Sequence, residues 1–384
     1  MSEWKEYKLG EITTEIGDGI HGTPNYSEDG EFYFINGNNI SNGKIMIKGD
    51  TKRVSRIEFE KYKKSLSNRT ILMSINGTIG NVGFYNDEKC ILGKSACYFN
   101  LKDNVDKNFV YYTFLTDDFQ SHLLNIATGT TIQNVPLKGL RESIILLPPL
   151  DEQKRIASIL TSIDDKIDLL HRENATLEVM AETLFRQWLI EEAKEHWNEM
   201  PLTKIANFTN GLACQKYPPK NDIDKLPVLK IRELANGISS DSDYATTEVA
   251  NEYMVHAGDV IFAWSASLMV KIWDGEDCIL NQHLFKVTSD SFPKWFYYCW
   301  CKYHLNEFIT IAQSHATTMG HIKRGDLENA MVLVPSNNEL KVMSDRFDCI
   351  IQKLENNNKE ICTLIQTRDN LLPKLMNREI TIHG

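Results

Sequence analysis

Residues 151–191, DEQKRIASILTSIDDKIDLLHRENATLEVMAETLFRQWLIE, repeat their side-chain character every seven positions along two rows. Ile156, Ile163, Leu170, Leu177 and Leu184 form one row; Leu160, Ile167, Asn174, Ala181 and Trp188 form the other. A heptad with both seam positions filled predicts one long helix whose seam needs a partner. Neither Pro nor Gly interrupts the stretch, and Pro148 and Pro149 punctuate its start. Asp151 and Glu152 place negative charge at the positive end of the helix dipole. At ~1.5 Å per residue such a helix is roughly 55 Å long, too long for the inside of one small domain. It predicts a strut.

The partner comes from an internal repeat. WKEYKLGEI (Trp4 to Ile12) aligns with WNEMPLTKI (Trp197 to Ile205), CIL at Cys90 recurs at Cys278, and KNFVYY at Lys107 recurs as KWFYYC at Lys294. Ile126 to Pro148 faces Ile311 to Pro335, and the offset falls from 193 residues at the starts to 187 at the ends. Carried through the strut, the 187-residue offset predicts a second long helix from about Asn338 to Leu375. A heptad is present there: Met343, Ile350, Asn357, Leu364 and Leu371 in one row, Phe347, Leu354, Ile361, Arg368 and Leu375 in the other. Antiparallel pairing of the two helices would set one globular repeat at each end of the rod; the alternative is two amphipathic helices, each covering its own domain. Asn174 and Asn357, in the seam rows, either fix the register by pairing or face a further protein.

Within each repeat, short strands broken by turns point to a mixed α+β domain. They are FYFINGNNI, TILMSI, NVGFY, ILGKSACYF and SIILLPP in the first copy, and VLKIREL, DVIFAW, ILNQHLFKV and AMVLVP in the second. Helices follow at Phe109 to Ala127 and Pro293 to Ala312. The domain limits are therefore 1–150, 151–195 for the first long helix, 196–336, and 337–384 for the second helix and tail. No apolar run approaches the ~18 residues that span a bilayer, so a cytoplasmic protein is expected. Eight cysteines without a CxxC are read as reduced and buried.

The net charge of −10 is unevenly spread: residues 141–196 carry 7 Lys+Arg against 12 Asp+Glu, whereas residues 1–140 carry 16 against 17. Inside that neutral first repeat, Lys44 to Arg69 holds nine basic residues against three acidic ones, a local basic patch. Tempting catalytic motifs fail. Gly93-Lys94-Ser95 lacks the first Gly of a phosphate loop, because Glu88 stands there. Cys299, Cys301 and His304 have no second ligand pair nearby and are read as packed in an aromatic helix. Glu152 and Lys154 lack the upstream Pro-Asp of a nuclease site, and neither a G-x-G-x-x-G nor an N/D-P-P-Y/F motif is present.

The combination of an opening W…L.EI, a Gly/Thr-rich turn (Gly19 to Pro24), GTIG (Gly77 to Gly80), TGTTIQN (Thr128 to Asn134), PPLDEQKRIA (Pro148 to Ala157) and LLPKL (Leu371 to Leu375) resembles the specificity subunit of Type I restriction-modification systems. The resemblance covers the whole chain, although PSNNELKVM replaces PPLDEQKRI in the second copy, so that helix start is expected to differ. It implies two similar target recognition domains separated by two long antiparallel helices in a coiled-coil-like spacer. Each domain would read half of a bipartite site on double-stranded DNA in the major groove. Two methyltransferase subunits would dock on the helices, with restriction subunits in the full complex. The chain itself would be non-catalytic and bind no cofactor or metal; S-adenosylmethionine, ATP and Mg would belong to partner subunits. The alternative is part of a fused restriction-methylation enzyme whose catalytic domain is absent.

For such a reader the candidate base-reading residues are Asn38, Asn39, Lys94, Ser95, Thr130, Thr131, Gln133 and Asn134 in the first repeat. Lys230, Arg232, Gln282, His283, Thr317, Thr318 and His321 are the candidates in the second: amides, hydroxyls, cations and imidazoles that can pair with base edges. Capped helix exits and turn chemistry are the bland explanation of the same residues. Lys48, Lys52, Arg53, Arg56, Lys61, Lys63 and Lys64 are candidates for phosphate contact, against a merely solvated charged face.

Overall fold

The computed structural model describes residues 4–129, 133–221, 223–239, 241–314 and 320–380. The chain divides into two compact units, one of Met1–Asp165 with Gln366–Gly384 and one of Lys166–Ile365.

In the first unit an antiparallel sheet runs in the order Thr13–Asp18, Ala96–Leu101, Thr70–Ser74, Val82–Phe84. Its centre, Ala96–Leu101 and Thr70–Ser74, is buried throughout; the runs are mostly apolar, and the buried Thr70 hydroxyl donates to Asn100 Oδ1 (2.6 Å). A second sheet pairs Phe32–Ile35 in parallel with Cys90–Leu92 and antiparallel with Arg53–Val54. The starting strand Lys5–Lys8 pairs with Ile144–Leu147. Helices Lys107–Leu115 and Asp117–Ile126 cover the first sheet, with Phe114 packed 5.1 Å from Phe99.

The second unit repeats the first sheet strand for strand, as Asn207–Asn210, Leu284–Thr288, Val260–Ala263, Met269–Ile272, while its second sheet gains a fourth strand, Met254–Val255, on Cys278–Leu280. Lys225–Leu229 lies parallel to Cys278–Leu280 with Tyr244–Thr246 on its edge, and Asn198–Pro201 pairs with Met331–Val334. Helices Lys294–Tyr303 and Leu305–Ser314 complete it. The structure corrects three readings. ILGKSACYF and ILNQHLFKV each divide into two strands of different sheets, turning at 93–95 and 281–283, and IREL of VLKIREL is helical (Ile231–Asn236). Six cysteines are buried, but Cys349 is exposed and Cys362 half-buried; all eight are free.

Both long helices form, as Leu150–Arg186, continuing into a π-type turn at Gln187–Glu191, and as Asn337–Met376. In the first unit Ile156, Ala157 and Leu160 share a core with Leu372, Leu375 and Met376. Asp164 receives bonds there from Arg368 (2.9 Å) and Tyr112 (2.7 Å). In the second unit Lys166 pairs with Glu360 and Glu173 with Lys353, so numbers rise on one helix as they fall on the other and the helices run antiparallel. Asn357, 1% exposed, donates to Asn174 (2.9 Å) and Glu173 (3.0 Å), and Asn174 donates to Asn358. The polar seam residues therefore pair with each other, which favours one register. Beyond Ala181 the buried row slips by one residue to Phe185 and Leu189, as a 3.6-residue helix drifts from a 3.5-residue seam.

Each helix start is tied to the tryptophan that opens its repeat. Trp4 Nε1 donates to Glu152 (3.3 Å), and Trp197 Nε1 donates to Glu339 (2.9 Å). The expected difference between the two starts is also present. Buried Gln153 links Pro148 O to Asp106 N in the first copy, where the second has Leu340. The second compensates with a reciprocal Ser336–Glu339 cap. Hydrogen bonds from Lys194, Ser336 and Trp197 hold the Glu339 carboxyl down at about 2.

Candidate nucleic-acid interface

In the first unit four loops are laced into one edge. Ile20 N donates to Leu92 O (2.8 Å) and Gly93 N to Ile35 O (2.8 Å), joining the Gly/Thr-rich turn, the turn at 93–95 and the end of Phe32–Ile35. Ser95 O accepts from Ile75 N, and Ile75 O accepts from Val135 N, both at 2.9 Å, which brings in the GTIG turn and the loop before Pro136. Asn76 Nδ2 reaches Asn134 Oδ1 (3.3 Å), while Thr128 and Asn134 exchange two backbone bonds of 2.8 Å.

The second unit builds the same edge. Leu212 N donates to Leu280 O, Asn281 N to Leu229 O, Trp264 N to His283 O (3.3 Å), and Ile322 N to Trp264 O (3.1 Å). Ser265 forms a bridge with His321, as Asn76 does with Asn134. The residue after each bridge, Gly77 or Ala266, has a left-handed backbone, φ +76° and +55°. Glycine takes that conformation freely and alanine at a cost, so the turn geometry is kept even where the sequence opposes it.

These bonds sort the candidates. Asn38, Lys94 and Gln133 are exposed on the first edge, and Asn134 is half-buried on its bridge. Two first-unit candidates are corrected. Asn39 is buried: its Nδ2 donates to Met46 O (3.0 Å) and its Oδ1 accepts from Asn36 N (3.0 Å), so its amide closes a turn rather than facing outward. Ser95 is likewise engaged, its Oγ accepting from Gly37 N (2.9 Å) and donating to Asn36 Oδ1 (3.0 Å). In the second unit His283 and His321 are exposed and Gln282 half-buried. Lys230 is paired with Asp243. Arg232 is exposed, but its Nε and Nη2 are held by the fully buried Glu233 (2.9 and 2.7 Å). Thr130, Thr131, Thr317 and Thr318 lie outside the described residues.

Sequence reasoning missed Trp264. It stacks on Phe285 (5.7 Å) between the rings of His283 (5.9 Å) and His321 (6.3 Å), and its Nε1 donates to Asn210 (3.2 Å). The repeat, followed through this turn, aligns it with Ile75, so the signal was present as a mismatch in register.

Of the basic set, Lys48, Lys52, Arg53, Arg56, Lys61 and Lys63 are exposed and Lys64 half-buried. Lys63 pairs with Glu60 (2.6 Å), and Arg53 lies over the Tyr33 ring (5.1 Å). Glu58, one of only three acidic residues in the run, is turned inward to Asn25 (3.1 Å), which leaves the outward face more basic than the count implies. At the other tempting cluster, His304 is occupied by Glu307 and Met331 O (3.0 Å each). Burial pushes the Cys299 thiol up to about 12 and that of Cys301 well above its usual range, so both are inert thiols. No helix among the described residues is long and apolar enough to cross a membrane.

A duplicated α+β scaffold with unlike loop side chains in its two copies, joined to two long antiparallel helices, is the class of protein that the fold defines. The chain matches the family described as Type I restriction modification DNA specificity domain over residues 1–179 and 194–364, and it belongs to that family. It is similar to the specificity subunit of the Type I restriction enzyme MjaIX of Methanocaldococcus jannaschii, 26% identical over 342 residues, 82% of this chain and 78% of that protein. The MjaVIII specificity subunit of the same organism is 23% identical over 356 residues, 83% of this chain and 82% of that one. The solved S subunit of a Type I restriction-modification system from M. genitalium shares the fold, with a TM-score of 0.55 at 18% identity over 97% of this chain and 96% of that one.

Proposed function

We propose that this chain is the non-catalytic recognition subunit of a Type I restriction-modification complex acting in the cytoplasm. Each repeat contacts one half of a bipartite site on double-stranded DNA through its laced loop edge. The long helices set the spacer and dock two methyltransferase subunits, and restriction subunits join the full assembly. S-adenosylmethionine, ATP and Mg are taken up by those partners.

The observation that carries this reading is the twofold use of one loop scaffold with different side chains: Ile75, Asn76 and Asn134 in the first unit, Trp264, Ser265 and His321 in the second. A shared frame with unlike tips suits two unlike half-sites, because phosphate contacts position a protein while base-edge contacts specify the sequence. Replacing residues 1–149 with those of a relative should change one half-site and leave the other half-site and the spacer as they were, read by mapping methylated bases in cells carrying the system. A change in both halves would sink the reading. One heptad added to both helices should lengthen the spacer alone; an unaltered spacer would refute the ruler. The purified chain, given DNA with S-adenosylmethionine or with Mg²⁺ and ATP, should neither methylate nor cleave it, and turnover would refute the non-catalytic role.

A further inference from the structure

Ile57 is 81% exposed, at the start of helix Arg56–Tyr62. Its helix is held down on the opposite side. Ser55 Oγ caps the Glu58 N–H, Glu58 is buried against Asn25, and Phe59 stacks on Phe32 at 3.9 Å with the planes 13° apart. The isoleucine is therefore presented rigidly, at little entropic cost on binding. Within five residues of it along the chain are Lys52, Arg53, Arg56 and Lys61, all exposed, and the exposed Tyr26 bridges to Val54, three residues before it. An apolar tip inside the most basic segment of the chain is poorly matched to a protein core or a membrane interior. It matches a polyanion with an apolar feature between its charges, and in DNA that feature is the C5 methyl of thymine in the major groove. The second unit lacks the arrangement: past its edge strand Tyr244–Thr246 come Glu248, paired with Lys220, and, three residues after the strand, Val249, which is half-buried against the core instead of projecting from it.

We propose that Ile57 is a specificity-determining residue that packs on the methyl group of one thymine in the half-site read by the first unit, with the surrounding cations on the flanking phosphates. This rests on the DNA-reading function proposed above. The test uses the full chain and a duplex it selects from a random pool, together with duplexes in which each thymine of the first half-site is replaced in turn by uracil. At one position the wild type should lose about fourfold in affinity, the equivalent of one buried methyl group. Ile57→Ala, which disturbs no core contact, should lose the same about fourfold on thymine DNA and nothing further on uracil DNA at that position. Additive losses, a flat uracil scan or a half-site without thymine would overturn the proposal. A Lys52→Gln, Arg53→Gln, Arg56→Gln variant separates the two ideas. If it binds unrelated duplexes as tightly as the wild type, the segment does not contact DNA and the larger reading of this surface fails too. If it binds all duplexes more weakly while the uracil scan is flat, only the Ile57 contact is lost.

Discussion

The two repeats share strand order, loop lacing and a tryptophan-to-glutamate bond at each helix start, yet they carry opposite charge on the same connection. Between the turn at Gly37–Asn39 and the strand Thr70–Ser74, the first unit places nine basic residues within Lys44 to Arg69. Between Ile231–Asn236 and Val260–Ala263 the second has Asp241, Asp243, Glu248, Glu252 and Asp259 in residues 237–259, and no Lys or Arg. Framework and contact chemistry are thus separable. The buried strands fix the frame, and the connection packs through residues such as Val54 and Phe59 or Ala245 and Val255, while its exposed side chains are free to change sign. The first unit's connection carries a positive field, whereas the second unit's loop edge presents directional groups such as Trp264, Gln282 and His283.

The anchoring of the long helices differs as well, and gives the largest test. Trp295 is fully buried and stacks on Phe347 at 4.1 Å, while its Nε1 donates to Ser344; the aligned residue in the first unit is the half-buried Asn108. Trp295→Ala should cost ~3–5 kcal/mol in denaturant unfolding of the second unit. Asn108→Ala should stay within about 0.5 kcal/mol. Equal costs would mean the repeats are held alike. Next comes charge: Lys52→Gln, Arg56→Gln and Lys61→Gln together should lower the slope of log affinity against log salt by roughly 2–3 and weaken binding to every duplex. Asp241→Asn with Glu252→Gln should change the slope by less than about 1. A larger response in the second unit would reverse the comparison.

The smallest effect concerns pH. Glu339 is depressed to about 2 from an unfolded value near ~4.3. Its contribution is therefore complete above the unfolded value and fades as pH falls toward 2. Glu339→Gln should be less stable at neutral pH and should flatten the acid limb of the unfolding profile; an unchanged limb would remove the cap from the account.

Both helices and the duplication were legible because heptads and repeats are properties of side-chain order alone. Asn39 and Ser95 misled, since an amide or hydroxyl looks the same whether it reads a base or closes a turn, and only tertiary geometry assigns its partners. The division of ILGKSACYF was hidden for a related reason: a strand that passes from one sheet to another keeps its apolar run. At Gly93, where it turns, a Cβ would lie 2.1 Å from Asn36 Oδ1, a constraint no local pattern reveals. Trp264 and Ile57 needed the frame first, because their meaning lies in what surrounds them.

The first unit stops at Asp165 and resumes at Gln366, and its core needs Leu372, Leu375 and Met376. On the ribosome the customary order is therefore inverted: the intervening unit can condense as a continuous piece, while residues 1–165 wait for residues 366–376. At ~5–20 residues per second that wait is roughly 10–40 s, during which one apolar flank of the amino-terminal segment stays uncovered. Nascent chains arrested after Ile365 should remain protease-sensitive in residues 1–165 and become resistant once Met376 has emerged; equal resistance at both points would remove the delay.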